Sequence, residues 1–294
     1  MRKEYGGTIA VDDVSFEVGR GEIFGIVGPN GAGKTTAVEC LTGMRKPDGG
    51  RIEVLGLDPN RNGDELRRRI GVQLQQAALP DRLKVWEALD LYSSFYDSPT
   101  DWRELMDRWG LSEKRGAAFE NLSGGQKQRL FVALALLNEP EIVFLDELTS
   151  GLDPQARRAS WNLVREIRDA GRTVVLVTHF MDEAEMLCDR VAVIDEGRVI
   201  ALDTPRKLIG NLEVESSLSF TAANGFDPAS LRNLPGVMEA SREGDLVVVS
   251  GSGSLLAPVA VELDRQGIQP DDLTMSRATL EDVFIFLTGR NVRD

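Results

Sequence analysis

Long apolar runs are missing from this 294-residue sequence, and no apolar stretch follows its amino-terminal Met-Arg-Lys-Glu-Tyr. A helix that crosses a bilayer needs roughly 20 predominantly apolar residues, and a secretory signal needs a shorter apolar core behind its first charges. Neither pattern is present, and neither end of the chain carries a lipidation motif. We therefore expect a cytoplasmic protein with no direct lipid anchor.

Cysteine, histidine and positive charge are also scarce. The two cysteines, Cys40 and Cys188, have no metal-binding or redox spacing, so we expect buried, reduced thiols rather than a disulfide. Lys and Arg number 34 against 47 Asp and Glu, which gives a net charge of −13. This balance opposes non-specific binding to nucleic acid or anionic lipid, because such binding depends on clustered cations. Any attachment to a membrane is therefore expected through a protein partner.

What the chain does contain is a complete phosphate-binding loop of the pattern G-x-x-x-x-G-K-[ST]. Apolar runs precede and follow it, so the loop lies between a predicted buried strand and a predicted helix. Lys34 is expected to reach the β- and γ-phosphates of a nucleoside triphosphate, and the Thr35 hydroxyl to bind Mg²⁺. The alternative is a glycine-rich turn without a ligand, which would not require the Lys-Thr pair. The loop residues are Gly28, Pro29, Asn30, Gly31, Ala32, Gly33, Lys34, Thr35 and Thr36.

Short strands and a helical segment surround this loop. Alternating apolar residues from Thr8 to Val18, followed by turn residues at Gly19–Glu22 before the strand that enters the phosphate loop, predict a hairpin. Further strands are predicted at Arg51–Leu55 and up to Gln75. The amide oxygen of Gln75 can bind Mg²⁺ or position water, although most glutamines only meet solvent. Helical periodicity between about residues 82 and 121 predicts a helical insertion, whose aromatic stripes form its core or a partner-facing edge.

A second glycine-rich helix start follows the insertion. It consists of Ser123, Gly124, Gly125 and Gln126, and the predicted helix continues to Leu137. Backbone N–H groups at a helix start bind anions, and two glycines let a ligand approach closely. Ser123 by itself is also a good helix cap. Both interpretations, a cap and a second phosphate contact, are open at this point.

Polar side chains follow two predicted buried strands. One strand ends in Asp146 and Glu147, and the next ends in Thr178 and His179. Ligands of open α/β sheets bind at the carboxyl ends of the strands, so Asp146 is expected to hold Mg²⁺ and Glu147 to polarise the attacking water. His179, the one histidine of the chain, is either structural or a ligand of the γ-phosphate. Asp153 precedes Pro154, a pair that a helix N-cap explains locally.

In their order and spacing, these motifs resemble those of the ATP-binding cassette ATPases. The signature Leu122–Gln126 is the specific part, since phosphate loops occur in many nucleotide-hydrolysing proteins. The resemblance covers about residues 3–210 and implies ATP hydrolysis with Mg²⁺; Leu148 departs from it, because many members have proline there. The roles that the resemblance implies are adenine stacking for Tyr5, the Q-loop for Gln75, the catalytic base for Glu147, the D-loop aspartate for Asp153 and the switch histidine for His179.

The carboxyl-terminal stretch narrows the resemblance. Residues 278–290 resemble the closing segment of ATPases that serve ABC-2 type exporters of drugs and lipids, whose membrane permease is a separate chain. The implied fold class is α/β: a P-loop core with an antiparallel β subdomain and a helical insertion at 1–211, then a small α+β domain at 212–294. In that second domain we expect strands at Leu218–Ala222 and Leu246–Val249 and a helix near Leu255–Arg265.

The resemblance also implies partners. With ATP bound, the chain is expected to form a head-to-tail homodimer in which each signature, Ser123 to Gln126, closes over the ATP of the other subunit. Docking on an integral membrane permease, through the helical insertion and the groove beside Gln75, would place the chain at the inner face of the cell membrane. No nucleic acid partner is expected.

Two other functions are alternatives to an exporter ATPase. A soluble cassette ATPase could act on DNA, ribosomes or iron–sulfur assembly, but the DNA-repair members contain a long coiled coil and the ribosomal members two cassettes, and this chain has neither. A non-hydrolysing ATP-binding module would not require Glu147 and His179, and both are present. The sequence therefore favours the exporter ATPase.

Overall fold

The computed structural model describes residues 1–75, 77–212, 216–222 and 226–289. The chain divides into two compact units, of which the first is Met1–Thr204 and the second begins at Pro205. This boundary lies a few residues before the expected one at 211/212, because a short helix at Pro205–Gly210 packs against the last helix of the chain. No helix among the described residues is long and apolar enough to cross a membrane.

The first unit is built on a six-stranded sheet. Its strand order is β4-β5-β6-β3-β7-β8, in which the first five strands are parallel and β8 is antiparallel to β7. Central strands of a parallel sheet are covered on both faces, which is why the sequence of β3 is continuously apolar and every one of its residues is buried. The strands of this unit are β1 (Lys3–Tyr5), β2 (Thr8–Val11), β3 (Ile23–Val27), β4 (Ile70–Gln73), β5 (Ile142–Asp146), β6 (Thr173–Thr178), β7 (Arg190–Asp195) and β8 (Arg198–Asp203).

Helices pack around this sheet. A core cluster that includes Phe24, Val38, Phe144 and Val177 joins the sheet to the helix after β3. Residues 82–121 form two helices and two 3-10 turns, as predicted for the insertion. The helices of the first unit are α1 (Lys34–Leu41), α2 (Gly63–Arg67), α3 (Val85–Ser93), α4 (Trp102–Arg108), α5 (Gly124–Ala135), α6 (Pro154–Asp169) and α7 (Met181–Leu187).

The amino-terminal β region differs from its prediction. The predicted hairpin with a turn at Gly19–Glu22 does not form, since residues 12–18 are no regular strand and β3 pairs with β6 and β7. A hairpin forms instead from β1 and β2, with its turn at Gly6 and Gly7. Arg51–Leu55 also forms no strand, although Ile52 and Val54 are buried as the alternation predicted. The reason is local hydrogen bonding: Val54 and Leu57 exchange two backbone bonds across a tight turn, at 2.8 and 2.9 Å, instead of joining a ladder.

The aromatic stripes of the insertion are largely core. Trp102 and Trp109 are 6% and 2% exposed, which confirms the structural interpretation for this pair. On α3, however, Leu91 is 47% exposed, and Phe95, just beyond the helix end, is 67% exposed. Part of the insertion therefore presents large apolar side chains to its surroundings.

The second unit is a four-stranded antiparallel sheet with helices, as the α+β prediction required. Its strand order is β10-β11-β9-β12, and its core includes Leu218, Phe220, Val247, Val249 and Val259. The two predicted strands and the predicted helix are present, whereas β10 and β12 were missed because few of their residues are apolar and buried. The elements are α8 (Pro205–Gly210), β9 (Ser216–Thr221), β10 (Val237–Glu243), β11 (Leu246–Gly251), α9 (Leu256–Arg265), β12 (Thr274–Arg277) and α10 (Leu280–Thr288).

Candidate nucleotide site

The sheet topology brings most of the predicted polar residues to one edge. Because β3, β4, β5 and β6 are parallel neighbours, their carboxyl ends lie side by side. The phosphate loop follows β3, the segment with Gln75 follows β4, the Asp146–Glu147 pair ends β5, and Thr178–His179 ends β6. Four segments that are far apart in sequence therefore meet at one ligand edge.

Backbone geometry explains two of the glycines in the phosphate loop. A Cβ atom at Gly28 would lie 2.0 Å from the Ile194 carbonyl oxygen, and one at Gly33 would lie 2.1 Å from the Ala10 carbonyl oxygen, so only glycine fits at either position. Gly31 is different, because its φ is +83° but no atom lies within 4 Å of a Cβ built there. The loop is thus anchored by its first and last glycines and is open in its middle, where a phosphate can approach.

The Lys34 ammonium lies over this loop. Its Nζ donates hydrogen bonds to the carbonyl oxygens of Gly28 and Pro29 at 2.8 and 2.9 Å, and it lies 4.0 Å from Glu147 Oε1. Burial lowers the pKa of Lys34, and the negative charges of Glu147 and Asp146 oppose that change. This arrangement places a cation beside the helix start of α1, where it would meet a bound polyphosphate.

Asp146 is the residue best suited to a metal ion. Burial raises its pKa to about 6, the neighbouring Glu147 charge also raises it, and the Thr35 hydroxyl and the Lys34 charge lower it. The Thr35 hydroxyl stands near the carboxylate without completing a hydrogen bond, so neither Asp146 oxygen has a partner among the described residues. A buried carboxylate with unpaired oxygens beside a hydroxyl fits Mg²⁺, which takes one or two protein oxygens and keeps the rest for phosphate and water. Among the described residues, no three acidic, His or Cys side chains lie together as a group of metal ligands. A site with only one or two protein ligands is consistent with this.

Glu147 and His179 are in direct contact. Glu147 Oε2 lies 2.6 Å from His179 Nδ1 and accepts a hydrogen bond from Ser150 Oγ at 2.5 Å. Glu147 has a φ of +54°, an uncommon conformation for a residue with a side chain. Its backbone N–H donates to the Val177 carbonyl at 2.9 Å, so the left-handed residue is attached to the neighbouring strand β6. The local backbone thus turns the Glu147 side chain toward Lys34 and His179.

Sequence reasoning missed Ser150. This residue follows Glu147 by three positions, and a turn closed by its N–H on the Glu147 carbonyl at 3.2 Å brings its hydroxyl to the carboxylate. The available signal was the spacing itself, because a serine three residues after a turn residue can bond back to it.

The signature residues form the start of helix α5. Ser123 Oγ accepts from the Gln126 N–H at 3.3 Å, and Gln126 Oε1 accepts from the Ser123 N–H at 2.9 Å, so both side chains form a capping box. The atoms nearest to a Cβ at Gly124 and at Gly125 belong to Leu152 and Ala156, at 3.4 and 3.6 Å, rather than to the phosphate loop of the same chain. Gly124 is exposed and Gly125 half-buried. The cap is therefore present, and the glycine surface beside it is accessible to a second molecule.

Asp153, Tyr5 and Gln75 occupy less enclosed positions. Asp153 caps α6 by accepting the Ala156 N–H at 2.8 Å, which confirms the N-cap interpretation. Tyr5 is 39% exposed, and Lys3 Nζ and Arg45 Cζ each lie 5.3 Å from its ring centre. Gln75 is exposed in the turn that follows β4, which ends at Gln73 and not at Gln75 as predicted. The nucleotide roles of these three side chains stay predictions.

Comparison with known proteins agrees with the family resemblance of the motifs. The sequence profile of the family described as ABC transporter matches residues 11–150. A Nod factor export ATP-binding protein I from Ralstonia nicotianae is 37% identical and covers 100% of this chain and 94% of that protein. A daunorubicin resistance ATP-binding protein, DrrA3, from Streptomyces coeruleorubidus is 36% identical and covers 99% of this chain and 95% of that protein.

Solved structures agree as well. A dimeric post-hydrolysis structure of the ATP-binding cassette MJ0796 with ADP and Pi matches with a TM-score of 0.63 at 28% identity, over 69% of this chain and 95% of that one. An ATP-binding subunit of an ABC transporter matches with a TM-score of 0.64 at 29% identity, over 70% of this chain and 88% of that one. The resemblance inferred from the motifs is thereby confirmed: the chain belongs to the ABC transporter family, as an ATP-binding subunit that hydrolyses ATP.

Proposed function

We propose that the site binds ATP as its magnesium complex. The backbone N–H groups of residues 31–36 and the Lys34 ammonium would hold the phosphates, and Tyr5 would stack on adenine, because its ring is exposed and next to two cations. Thr35 and Asp146 would hold Mg²⁺, with Gln75 as a further oxygen ligand. When bound, the metal neutralises charge on the terminal phosphates.

Glu147 is proposed as the group that orients and polarises the attacking water. The 2.6 Å contact with His179 and the bond from Ser150 fix its carboxylate beside Lys34. If His179 donates its Nδ1 proton to Glu147, only a protonated imidazole still has an N–H on Nε2 to donate to the γ-phosphate. The two side chains therefore act as one unit in this proposal, with Glu147 as base and His179 as phosphate ligand.

The active form is proposed to be a head-to-tail homodimer. The atoms nearest to a Cβ at Gly124 and at Gly125 belong to Leu152 and Ala156 and not to the phosphate loop of the same chain. The N-terminus of α5 would therefore bind the ATP of a second copy, with Asp153 as the D-loop aspartate of that interface. Gly125→Asp should abolish ATP-dependent dimerisation on a sizing column and leave ATP affinity of the monomer unchanged, since the new charge would repel the γ-phosphate. A variant that dimerises like the parent would contradict the arrangement.

We further propose that the chain powers a membrane exporter of the ABC-2 type and docks on a separate permease. The observation that carries this proposal is the likeness, over the whole chain, to proteins whose names specify export or drug resistance. The substrate class would accordingly be a drug, a lipid or another hydrophobic molecule. The exposed apolar side chains of Leu91 and Phe95 are suited to receive a permease helix.

Membrane recruitment tests the docking proposal. The chain is expressed with the membrane protein encoded beside it, and its membrane-bound fraction is measured for the parent and for Leu91→Glu and Phe95→Glu. Charges on the docking surface should release the chain, because they would be buried without partners. Val261→Glu is the matched control, since Val261 is 70% exposed on α9 in the second unit. Binding that persists without the permease, or that survives both insertion variants, would refute the proposal.

A further inference from the structure

Glu183 is a buried carboxylate that the proposed reaction does not use. It lies in α7, its side chain is 0% exposed, and burial raises its pKa. Its Oε1 accepts a hydrogen bond from Trp161 Nε1 of α6 at 3.0 Å. A carboxylate in such a place is costly unless several donors surround it, so its remaining neighbours indicate what it does.

Those neighbours are two threonine hydroxyls. Thr149 and Thr178 lie close enough to Glu183 to oppose the rise in its pKa. Thr178 Oγ1 already accepts the Phe180 N–H at 3.0 Å, which leaves its proton to be donated to Glu183. Within the described part of the chain, Thr149 Oγ1 and Glu183 Oε2 are each buried without a completed hydrogen bond. A buried donor and a buried acceptor thus stand beside each other, and a small movement of the loop would join them.

The two threonines belong to the segments that carry Glu147 and His179. Thr149 lies two residues after Glu147, in the loop that leaves β5, whereas Thr178 is the last residue of β6 and directly precedes His179. Glu147 and His179 themselves meet at 2.6 Å. The hydroxyls of Thr149 and Thr178 thus connect the surroundings of Glu183 to both segments that carry the reacting pair.

We propose that Glu183 is a positioning residue: when the Thr149 hydroxyl closes on the unpaired Oε2 of Glu183, Glu183 holds the loop that carries Glu147 against the strand end that carries Thr178 and His179. The proposal rests on the role given to Glu147 above. Glu183 touches no reacting atom, and it acts through the orientation of the two side chains in front of it. Misplacement of such groups by about 1 Å lowers turnover by as much as a hundredfold without a comparable change in binding.

The test compares isosteric and conservative variants in the ATP hydrolysis of the purified chain. Thr149→Val removes the hydroxyl and keeps the shape, and it should lower kcat about tenfold while KM for ATP changes less than about twofold. Thr149→Ser keeps the hydroxyl and should retain most of the parent kcat. Glu183→Leu should lower kcat by at least as much as Thr149→Val, with Glu183→Gln between Leu and the parent. Thr149→Val and Glu183→Leu both remove the contact between these two side chains. The double variant should therefore be no slower than Glu183→Leu alone.

A control variant separates positioning from general loss of stability. Val164→Ala removes fully buried volume from α6 and leaves the side chains of Thr149, Thr178 and Glu183 unchanged, and variants are compared at matched thermal stability. Any of three results would overturn the proposal. The first is an equal loss of kcat in Val164→Ala and Thr149→Val at the same Tm. The others are a Thr149→Ser variant as slow as Thr149→Val, and strictly additive losses in the double variant. Glu147→Gln is measured in parallel. If it turns over ATP like the parent, the role of Glu147 fails, and if only the Glu183 and Thr149 variants behave like the parent, the positioning role alone fails.

Discussion

The two units of this chain differ most in what they bury. In the second unit the core is apolar, and Ser216 is the one buried polar side chain among its described residues. The first unit buries a cation and three carboxylates, which opposes folding unless each charge is compensated. Its buried polar and charged side chains are Lys34, Thr42, Gln73, Asp146, Glu147, Thr149, Ser160, Thr173, Thr178 and Glu183.

The first unit thus keeps buried charged groups at its proposed site, whereas the described part of the second unit is stabilised by an apolar core. The relatives with export or resistance names extend over 99–100% of the chain, whereas the matching solved cassettes cover only about 70% of it. The second unit therefore belongs to the part of the sequence shared with the export proteins, and it is not needed to define the cassette. Five measurements test this contrast.

The largest effect is expected in the first unit from Glu147→Gln. The substitution keeps the shape and the neighbours but removes the carboxylate proposed as the base, so kcat should fall by about 10²–10⁴ while ATP binding persists. An ATP-bound dimer should then accumulate on a sizing column. Glu113→Gln, at an exposed position of the insertion, is the control and should leave kcat unchanged. Parent-like turnover by Glu147→Gln would remove Glu147 from the mechanism.

In the second unit, Phe220→Ala should act on stability and not on chemistry. Phe220 is 0% exposed and stacks edge-on with Phe226 at 5.7 Å, so its loss should cost about 3–5 kcal/mol of that unit's free energy of unfolding. ATP affinity, measured by calorimetry below the new Tm, should stay at the parent value. Val261→Ala, at a position that is 70% exposed, is the control and should change neither the stability nor the ATP affinity. A parallel loss of ATP affinity in Phe220→Ala would show that the two cores are coupled.

The third measurement returns to the first unit with Lys34→Ala. Removing a charged donor to a polyanion should weaken ATP binding by about 3 kcal/mol or more, roughly a hundredfold in Kd. Lys46→Ala, an exposed lysine shortly after α1, controls for the change in net charge. Undiminished ATP affinity by calorimetry would count against the phosphate role of Lys34.

The smallest expected effect concerns pH. The pKa of Asp146 is raised to about 6 in the folded chain, so the folded state binds this proton more tightly than the unfolded state. Its contribution to stability is complete below about pH 4 and is lost as the pH rises through about 6. Without nucleotide, Asp146→Asn should therefore exceed the parent in free energy of unfolding by about 1–3 kcal/mol near pH 7.5, and by less near pH 5. Urea unfolding at both pH values measures this, and equal stability at pH 7.5 would refute it.

Mg²⁺ is expected to give the opposite pH dependence if Asp146 holds it. Binding requires the ionised carboxylate, so the stabilisation that MgATP gives to the parent over ATP with a chelator should grow between about pH 5 and pH 7. Asp146→Asn should lose most of this difference. A pH-independent metal effect would place the metal elsewhere.

Much of this could be predicted from the sequence because the strongest signals are local. The phosphate loop, the capping box of Ser123 and the N-cap at Asp153 are each set by a few adjacent residues, and parallel strands bring their carboxyl ends to one edge whatever the side chains are.

The rest depended on contacts distant in sequence. Ile52 and Val54 alternate like a strand, but no segment in the described part of the chain forms a ladder with Arg51–Leu55. Strand β10 forms at the edge of the second sheet with few buried residues, so its pattern gives no hydrophobic alternation to detect. Glu183 was overlooked for the same reason, since nothing in its helical neighbourhood shows that Trp161 and two threonines surround it.

The start of helix α1 has a consequence for the lifetime of the protein in the cell. Gly33 stands at the N-cap and has no side chain to satisfy the first N–H groups of the helix. The phosphates of a nucleotide would supply those acceptors, so the ligand completes a piece of secondary structure. At a ligand concentration of 100 times Kd this linkage adds about 2.7 kcal/mol to stability. A chain deprived of nucleotide would open more often and be degraded sooner, which ties the abundance of this subunit to the energy supply it consumes.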